Sequence, residues 1–312
     1  MVKFRTEFPA FKLPPLDYQH PILVAGSCFA ELIEAELRMG GFHVPVPSHG
    51  ILYHPFALST MLQTWCEIPT EWPVLENHDN RWISLDHHGS FSSFSEEEAK
   101  TGMLMARENC ALALKEAHFL FLSLGTAHYF QDKVSGKAVG NCHKLPADRF
   151  IRNRSTVTEI VDSLNFTIQN LREINPQLTV ILSVSPVKHL RDGLAENSLS
   201  KSILRVATDI LCSQNSNVHY FPAYEILTED LRDYRFYSED LAHPSKAAQD
   251  YIFQYFSSAC FSIDTLEVFK QVSAFRNLER HFSKSNPILH LEAVEKEKER
   301  LVVRFPFLSG RL

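Results

Sequence analysis

The chain has 312 residues, 45% apolar and 22% charged, with a net charge of −6 at pH 7. This fits one large globular domain, or one domain with a sizeable insertion, and the acidic balance argues against a nucleic-acid partner, which calls for a basic surface. No apolar run approaches the ~20 residues of a membrane span, and six scattered cysteines without a CxxC pair or zinc-ligand spacing predict a reduced, cytoplasmic protein with no bound metal.

The first residues, MVKFRTEFPAFKLPPLDYQHP, lack the apolar stretch of a signal peptide. Residues 22–25 (ILVA) read as a buried strand that passes through Gly26, Ser27 and Cys28 into a helical pattern at about 28–40. FHVPV (42–46) is a candidate second strand, although Pro45 and Pro47 suit an edge or a bulge. Residues 60–117 read as an insertion with a small hairpin around RWISL and a helix at 95–117, opened by a Ser95–Glu98 capping box. HFLFLSLG (118–125) and LTVILSVSP (178–186) are strong strand signals, and VHYFPAYEI (218–226) is a fifth, weaker one. Helical patterns follow at about 156–174, 196–214 and 244–259, the last with Pro244 in its first turn. Residues 262–312 read as a helical extension to a domain spanning 1–261, broken at SNP (285–287), and are a candidate surface for self-association.

Strands alternating with helices predict a parallel sheet covered on both faces. Ligands of such sheets bind beyond the carboxyl ends of the strands. The polar residues there are Ser27 and Cys28, then Gly50, then Gly125, Thr126 and His128, then Ser185 and His189, and finally Asp240 and His243. A D-x-x-H turn lets the carboxylate bond one imidazole nitrogen while the other is presented as a base. Ser27, at a strand-to-helix turn, would supply the nucleophile, with its N–H near a helix N-terminus. Each residue also has a plainer reading. Ser27 suits a helix cap, Asp240 and His243 suit a polar surface turn, and Cys28 is either a rival nucleophile or a small buried hydrophobe.

Six stretches carry a family likeness: AGSCFAELIEAEL, HGILYHPFAL, FLSLGTAHYF, GNCHKLP, SVSPVKHLRDG and DYRFYSEDLAHPS. Together, over about residues 20–256, they resemble the GSCFA family, a branch of the SGNH/GDSL hydrolase superfamily. The resemblance implies a three-layer α/β/α sandwich around a five-stranded parallel sheet. It puts the nucleophile on Ser27 and the acid–base pair on Asp240 and His243. It implies an oxyanion hole of the Ser27 N–H, Gly50 and an Asn. That Asn is missing, because the superfamily's G-x-N-D stretch reads Gly125-Thr126-Ala127-His128 here. Asn141 is the candidate substitute, and its neighbours His143 and Lys144 are candidates to hold an anionic part of a substrate. The family pattern usually has Asn where this chain has His54, which alters the pocket wall. The expected activity is that of a serine esterase acting on an acyl ester, an O-acetylated carbohydrate among them, with no cofactor. Acyl transfer by the same triad is one alternative, and a non-catalytic glycan-binding module is the other.

Overall fold

The apolar run at the start forms β1 (Ile22–Gly26), buried along its whole length. Ser27 caps the helix that follows, α1 (Cys28–Met39). α2 (Pro55–Cys66) starts on Pro55, where a missing N–H costs nothing, and its cap is His54. The hairpin of β2 (Glu76–His78) and β3 (Arg81–Ile83) turns through Asp79 and Asn80, both at positive φ, which Asp and Asn tolerate. α3 (Glu96–Glu116) leads into β4 (Phe119–Leu124). Three short strands then form an antiparallel sheet of their own: β5 (His128–Asp132), β6 (Ala138–Val139) and β7 (Phe150–Arg154). α4 (Val157–Ile174) opens with a complete Thr156–Glu159 capping box. β8 (Thr179–Val184), α5 (Gly193–Gln214) and β9 (Val218–Tyr220) follow. A short α6 (Ala223–Glu225) runs into a π-type turn at Ile226–Leu231. The chain ends with α7 (Lys246–Cys260), α8 (Ile263–Arg280) and α9 (Pro287–Arg304). The structure, a computed structural model, describes residues 6, 8–280 and 287–312.

The central sheet is parallel, in the order β1-β4-β8-β9. Alternate residues of each strand serve opposite faces. Ile22 and Val24 enter one core with α1, α7 and α8, while Leu23 and Ala25 enter a second core with α2, α3, α4 and α5. The result is a three-layer α/β/α protein. α8 and α9 belong to the first core through Val272, Phe275 and Leu301. Among the described residues, no helix is long and apolar enough to cross a membrane.

The sheet has four strands where five are expected. FHVPV runs beside β1, and Ile22 N–H donates to His43 O (2.9 Å). Beyond it the next link is Leu52 N–H to Gly26 O (2.9 Å), because Pro45 and Pro47 have no N–H with which to build a ladder. Pro222 ends β9 after three residues. The expected insertion begins too early, since α2 lies in the main layer and buries Leu58 and Leu62 in the second core. The hairpin at RWISL forms. The Ser95–Glu98 box is half made, because Ser95 accepts from Glu98 N–H (3.3 Å) but the Glu98 carboxylate turns to the Ser93 hydroxyl (2.7 Å). α7 starts at Lys246 with Ser245 as its cap, so Pro244 lies just before the helix and not in its first turn. The break expected at 285–287 falls mostly outside the described residues.

Two interactions hold the carboxyl end of the sheet. Gly26 has φ +134°, and a Cβ there would overlap the carbonyl and amide of Ser123 on β4. Lys201 of α5 is fully buried and donates from Nζ to Gly125 O (2.6 Å) and Ser185 O (2.7 Å), tying together the residues just past β4 and β8. No carboxylate accompanies it among the described residues, and burial lowers its pKa to about 7.

Gly26→Ala is expected to destabilise the fold by about 3 kcal/mol or more, read from urea unfolding. Lys201 binds its proton more weakly when folded than in the unfolded chain, where the value is ~10.4. Below pH 7 both states hold the proton and the full cost of burying the charge remains. As pH rises from about 7 towards 10 the cost is relieved, so stability contributed by this group increases. The urea midpoint of wild type should therefore rise relative to that of Lys201→Met over that range, and parallel curves would contradict the assignment.

Candidate active site

A cleft of about 370 Å³ opens beyond the carboxyl ends of β1, β4 and β8. Cys28, Tyr53, Thr126, His189 and His243 line it from the central sheet, and β5, β6 and β7 wall it with His128, Phe130, Val139 and Arg152.

The Asp240–His243 pair forms as the D-x-x-H spacing predicts. Asp240 Oδ1 accepts the backbone N–H groups of Ala242 (3.0 Å) and His243 (2.9 Å), and Oδ2 lies 2.5 Å from His243 Nδ1. The two backbone donors, followed by the ring, hold the Asp240 carboxyl at about 2. Both side chains are about half exposed, so the ring is pinned by the carboxylate yet open to the cleft.

At the other wall, Ser27 and Cys28 divide their roles. Ser27 is 1% exposed. Its N–H donates to Ser123 O (3.0 Å), and its Oγ shares a hydrogen bond with Ser123 Oγ (2.9 Å) and accepts from Phe29 N–H (3.4 Å). These are the bonds of a helix cap, made behind the cleft wall, and none reaches His243. Cys28, at the first position of α1, lines the cleft, with Sγ 3.2 Å from Tyr53 Oη. Its backbone N–H has no partner among the described residues, as the first N–H groups of a helix do not. Burial, followed by the Cys28 contact, raises the Tyr53 phenol above its ordinary range, so it stays a neutral donor.

Of the other expected residues, Thr126, His128 and His189 line the cleft. Thr126 Oγ1 shares a hydrogen bond with Ser200 Oγ (3.1 Å), and His128 Nε2 lies 3.5 Å from Glu196. His189 is lowered to about 4 by burial and then by the Lys201 charge, and its buried Nε2 has no partner. Gly125 is a floor residue, because its N–H donates to Tyr53 O (2.8 Å) and its carbonyl accepts from Lys201. Gly50 faces a different groove, beside Glu31, Glu34 and His88, and its N–H is taken by Pro47 O (3.2 Å). Asn141 does not reach the cleft either, since its Oδ1 accepts from His143 N–H (2.8 Å) in a local turn. His143 Nε2 is bonded to Ser84 O (2.8 Å), and Lys144 is exposed outside the cleft. Away from the cleft, Asp17, His20 and His118 lie within 4.8 Å of one another at the amino ends of β1 and β4. Asp17 also accepts there from the N–H groups of Gln19 (2.8 Å) and His20 (3.0 Å).

Tyr53, Arg152, Lys188, Arg191 and Lys201 are site residues that the strand-end reading passed over. Tyr53 lay inside a family motif, and its place two residues before the α2 helix was the available signal. Taken together, a thiol, the phenol bonded to it and an oriented imidazole share one concavity. That set is equipped for nucleophilic acyl chemistry.

No curated protein matches the sequence. Solved structures with distant similarity include a carbohydrate esterase family 3 protein from Talaromyces cellulolyticus, at 12% identity over 80% of this chain and 98% of that one, with a TM-score of 0.35. A family 3 carbohydrate esterase from Clostridium thermocellum matches at 12% identity over 81% and 97%, with a TM-score of 0.32. The acetyl xylan esterase Est2A from the rumen bacterium Butyrivibrio proteoclasticus matches at 12% identity over 84% and 65%, with a TM-score of 0.36. Residues 21–256, which hold both walls of the cleft, match the GSCFA family, and the chain belongs to that family.

Proposed function

We propose that the protein is an ester hydrolase that works through a covalent acyl-enzyme, with Cys28 in place of Ser27 as nucleophile, His243 as the base and Asp240 as its orienting carboxylate. The observation that carries this reading is the 2.5 Å Asp240–His243 contact on a cleft whose opposite wall bears Cys28. His243 takes the thiol proton as sulfur attacks the ester carbonyl. The oxyanion that forms is met by the Cys28 N–H and the Tyr53 hydroxyl, one such donor being worth roughly 3 kcal/mol. His243 then returns the proton to the leaving alcohol. Water, deprotonated by the same ring, attacks the thioester and releases the free acid and the thiol. The cleft volume suits a small acyl ester, of a simple alcohol or a sugar.

For Ser27 to serve instead, its hydroxyl would have to leave both Ser123 and the helix cap. Cys28→Ala is expected to abolish turnover of p-nitrophenyl acetate and the labelling of the protein by iodoacetamide at that position. Ser27→Ala should chiefly lower stability, by about 1 kcal/mol for the lost cap. Wild-type turnover by Cys28→Ala, with loss in Ser27→Ala, would return the nucleophile to the serine. Asp240→Asn should lower kcat by about four orders of magnitude, by letting the ring take the wrong tautomer; a loss below tenfold would remove Asp240 from the mechanism.

A further inference from the structure

The chain carries a net charge of −6, yet among the described residues no acidic side chain lines the cleft, while Arg152, Lys188 and Arg191 do. The acids nearby are already engaged. Asp192 pairs with Arg152, Glu196 pairs with Arg154 (2.8 Å), and Asp240 holds His243. Arg191 and Lys188 have no carboxylate partner among the described residues. They are placed by aromatic rings instead. The Arg191 guanidinium lies 4.8 Å from the centre of the Phe130 ring, and the Arg152 guanidinium lies 4.9 Å from it. Lys188 Nζ sits 3.6 Å from the centre of the Tyr237 ring and donates to Leu241 O (3.2 Å). A ring face orients a cation without cancelling its charge, which leaves the N–H groups available to an anion.

From this we infer that the cleft selects esters bearing an anionic group, a carboxylate or a phosphate, seated on Arg191 and Lys188. The inference rests on the proposal that the cleft is the esterase site and narrows its substrate class. A planar guanidinium pairs with either anion through two parallel hydrogen bonds, and a neighbouring ammonium adds a point charge. The expected Lys144 and His143 play no part, since neither reaches the cleft.

The test compares mono-4-nitrophenyl succinate with 4-nitrophenyl butyrate, which place a charged and a neutral end at similar reach. The charged ester should have a kcat/KM at least about tenfold higher, the order of one charge-assisted contact. Arg191→Gln, and separately Lys188→Gln, should narrow that ratio at least threefold, and raising the salt concentration should weaken the preference. Equal kcat/KM for the two esters would overturn the inference. Binding of monomethyl succinate and of inorganic phosphate to Cys28→Ala, measured by calorimetry, separates the two readings. If neither ester is turned over by the wild type, the hydrolase proposal falls, yet anion binding that Arg191→Gln weakens would still establish the anion seat. Binding that Arg191→Gln leaves unchanged would overturn it. Tighter phosphate than succinate binding would point to a phosphorylated substrate, and the reverse to a carboxylated one.

Discussion

The close approach of β1 to β4 at Gly26 governs what the cleft contains. With no Cβ at that point, the Gly26 backbone lies against Ser123, and Ser27 is drawn in behind it to bond the Ser123 carbonyl and hydroxyl. The chain then turns into α1, and the next residue faces the other way. Whichever side chain occupies position 28 is therefore delivered to the cleft at the first position of a helix. A bulkier residue at 26 would move Ser27 off Ser123 and shift the helix start, so the identity of the cleft thiol depends on a glycine two residues away.

The opposite wall is built on a different principle. In the turn that carries His243 the Asp240 carboxylate accepts two backbone N–H groups and the ring, and Lys188 ties the turn to the segment after β8 through Ala242 O and Leu241 O. It needs no burial, and its side chains are half exposed. The cleft thus joins one wall set rigidly by the sheet to one set by a polar turn at the surface. Between them the floor carries Lys201, whose Nζ bonds two carbonyls and, among the described residues, no acid. The rim carries Arg191 and Lys188 without a carboxylate partner among the described residues, although the protein as a whole is acidic.

Much of this was legible in the sequence. Apolar runs mark β1, β4 and β8 because central parallel strands are buried on both faces, and the spacing of Asp240 and His243 is short enough to dictate their contact. Other features depend on where a neighbouring element sits. Nothing in GSC tells which of its two nucleophiles faces the cleft; the approach of β4 decides it. Gly50 and Asn141 have the right chemistry, but one local turn consumes the Gly50 N–H and another holds the Asn141 side chain outside the cleft. HYFQD and FIRNR did not read as strands, because β5 and β7 are only part buried and lack a clean alternation. Lys201 lies inside a helical pattern, and only the packing of α5 places it beneath the sheet end.

His54 stands where the family resemblance implies an asparagine, and its two ring nitrogens divide the work. Nδ1 accepts the N–H of Phe56 (3.0 Å), which is the service an asparagine oxygen gives at the start of a helix. That leaves the proton on Nε2, which reaches Ser155 Oγ (3.0 Å) at the far end of β7. Burial lowers this imidazole to about 3, so it keeps the same tautomer from mild acid upward. The longer side chain therefore does the shorter one's job and spans a gap as well, fastening the start of one helix to the sheet that overhangs the cleft. An asparagine substituted there would preserve the first bond and lose the second, leaving the overhang tied by Arg152 to Asp192 and by Arg154 to Glu196.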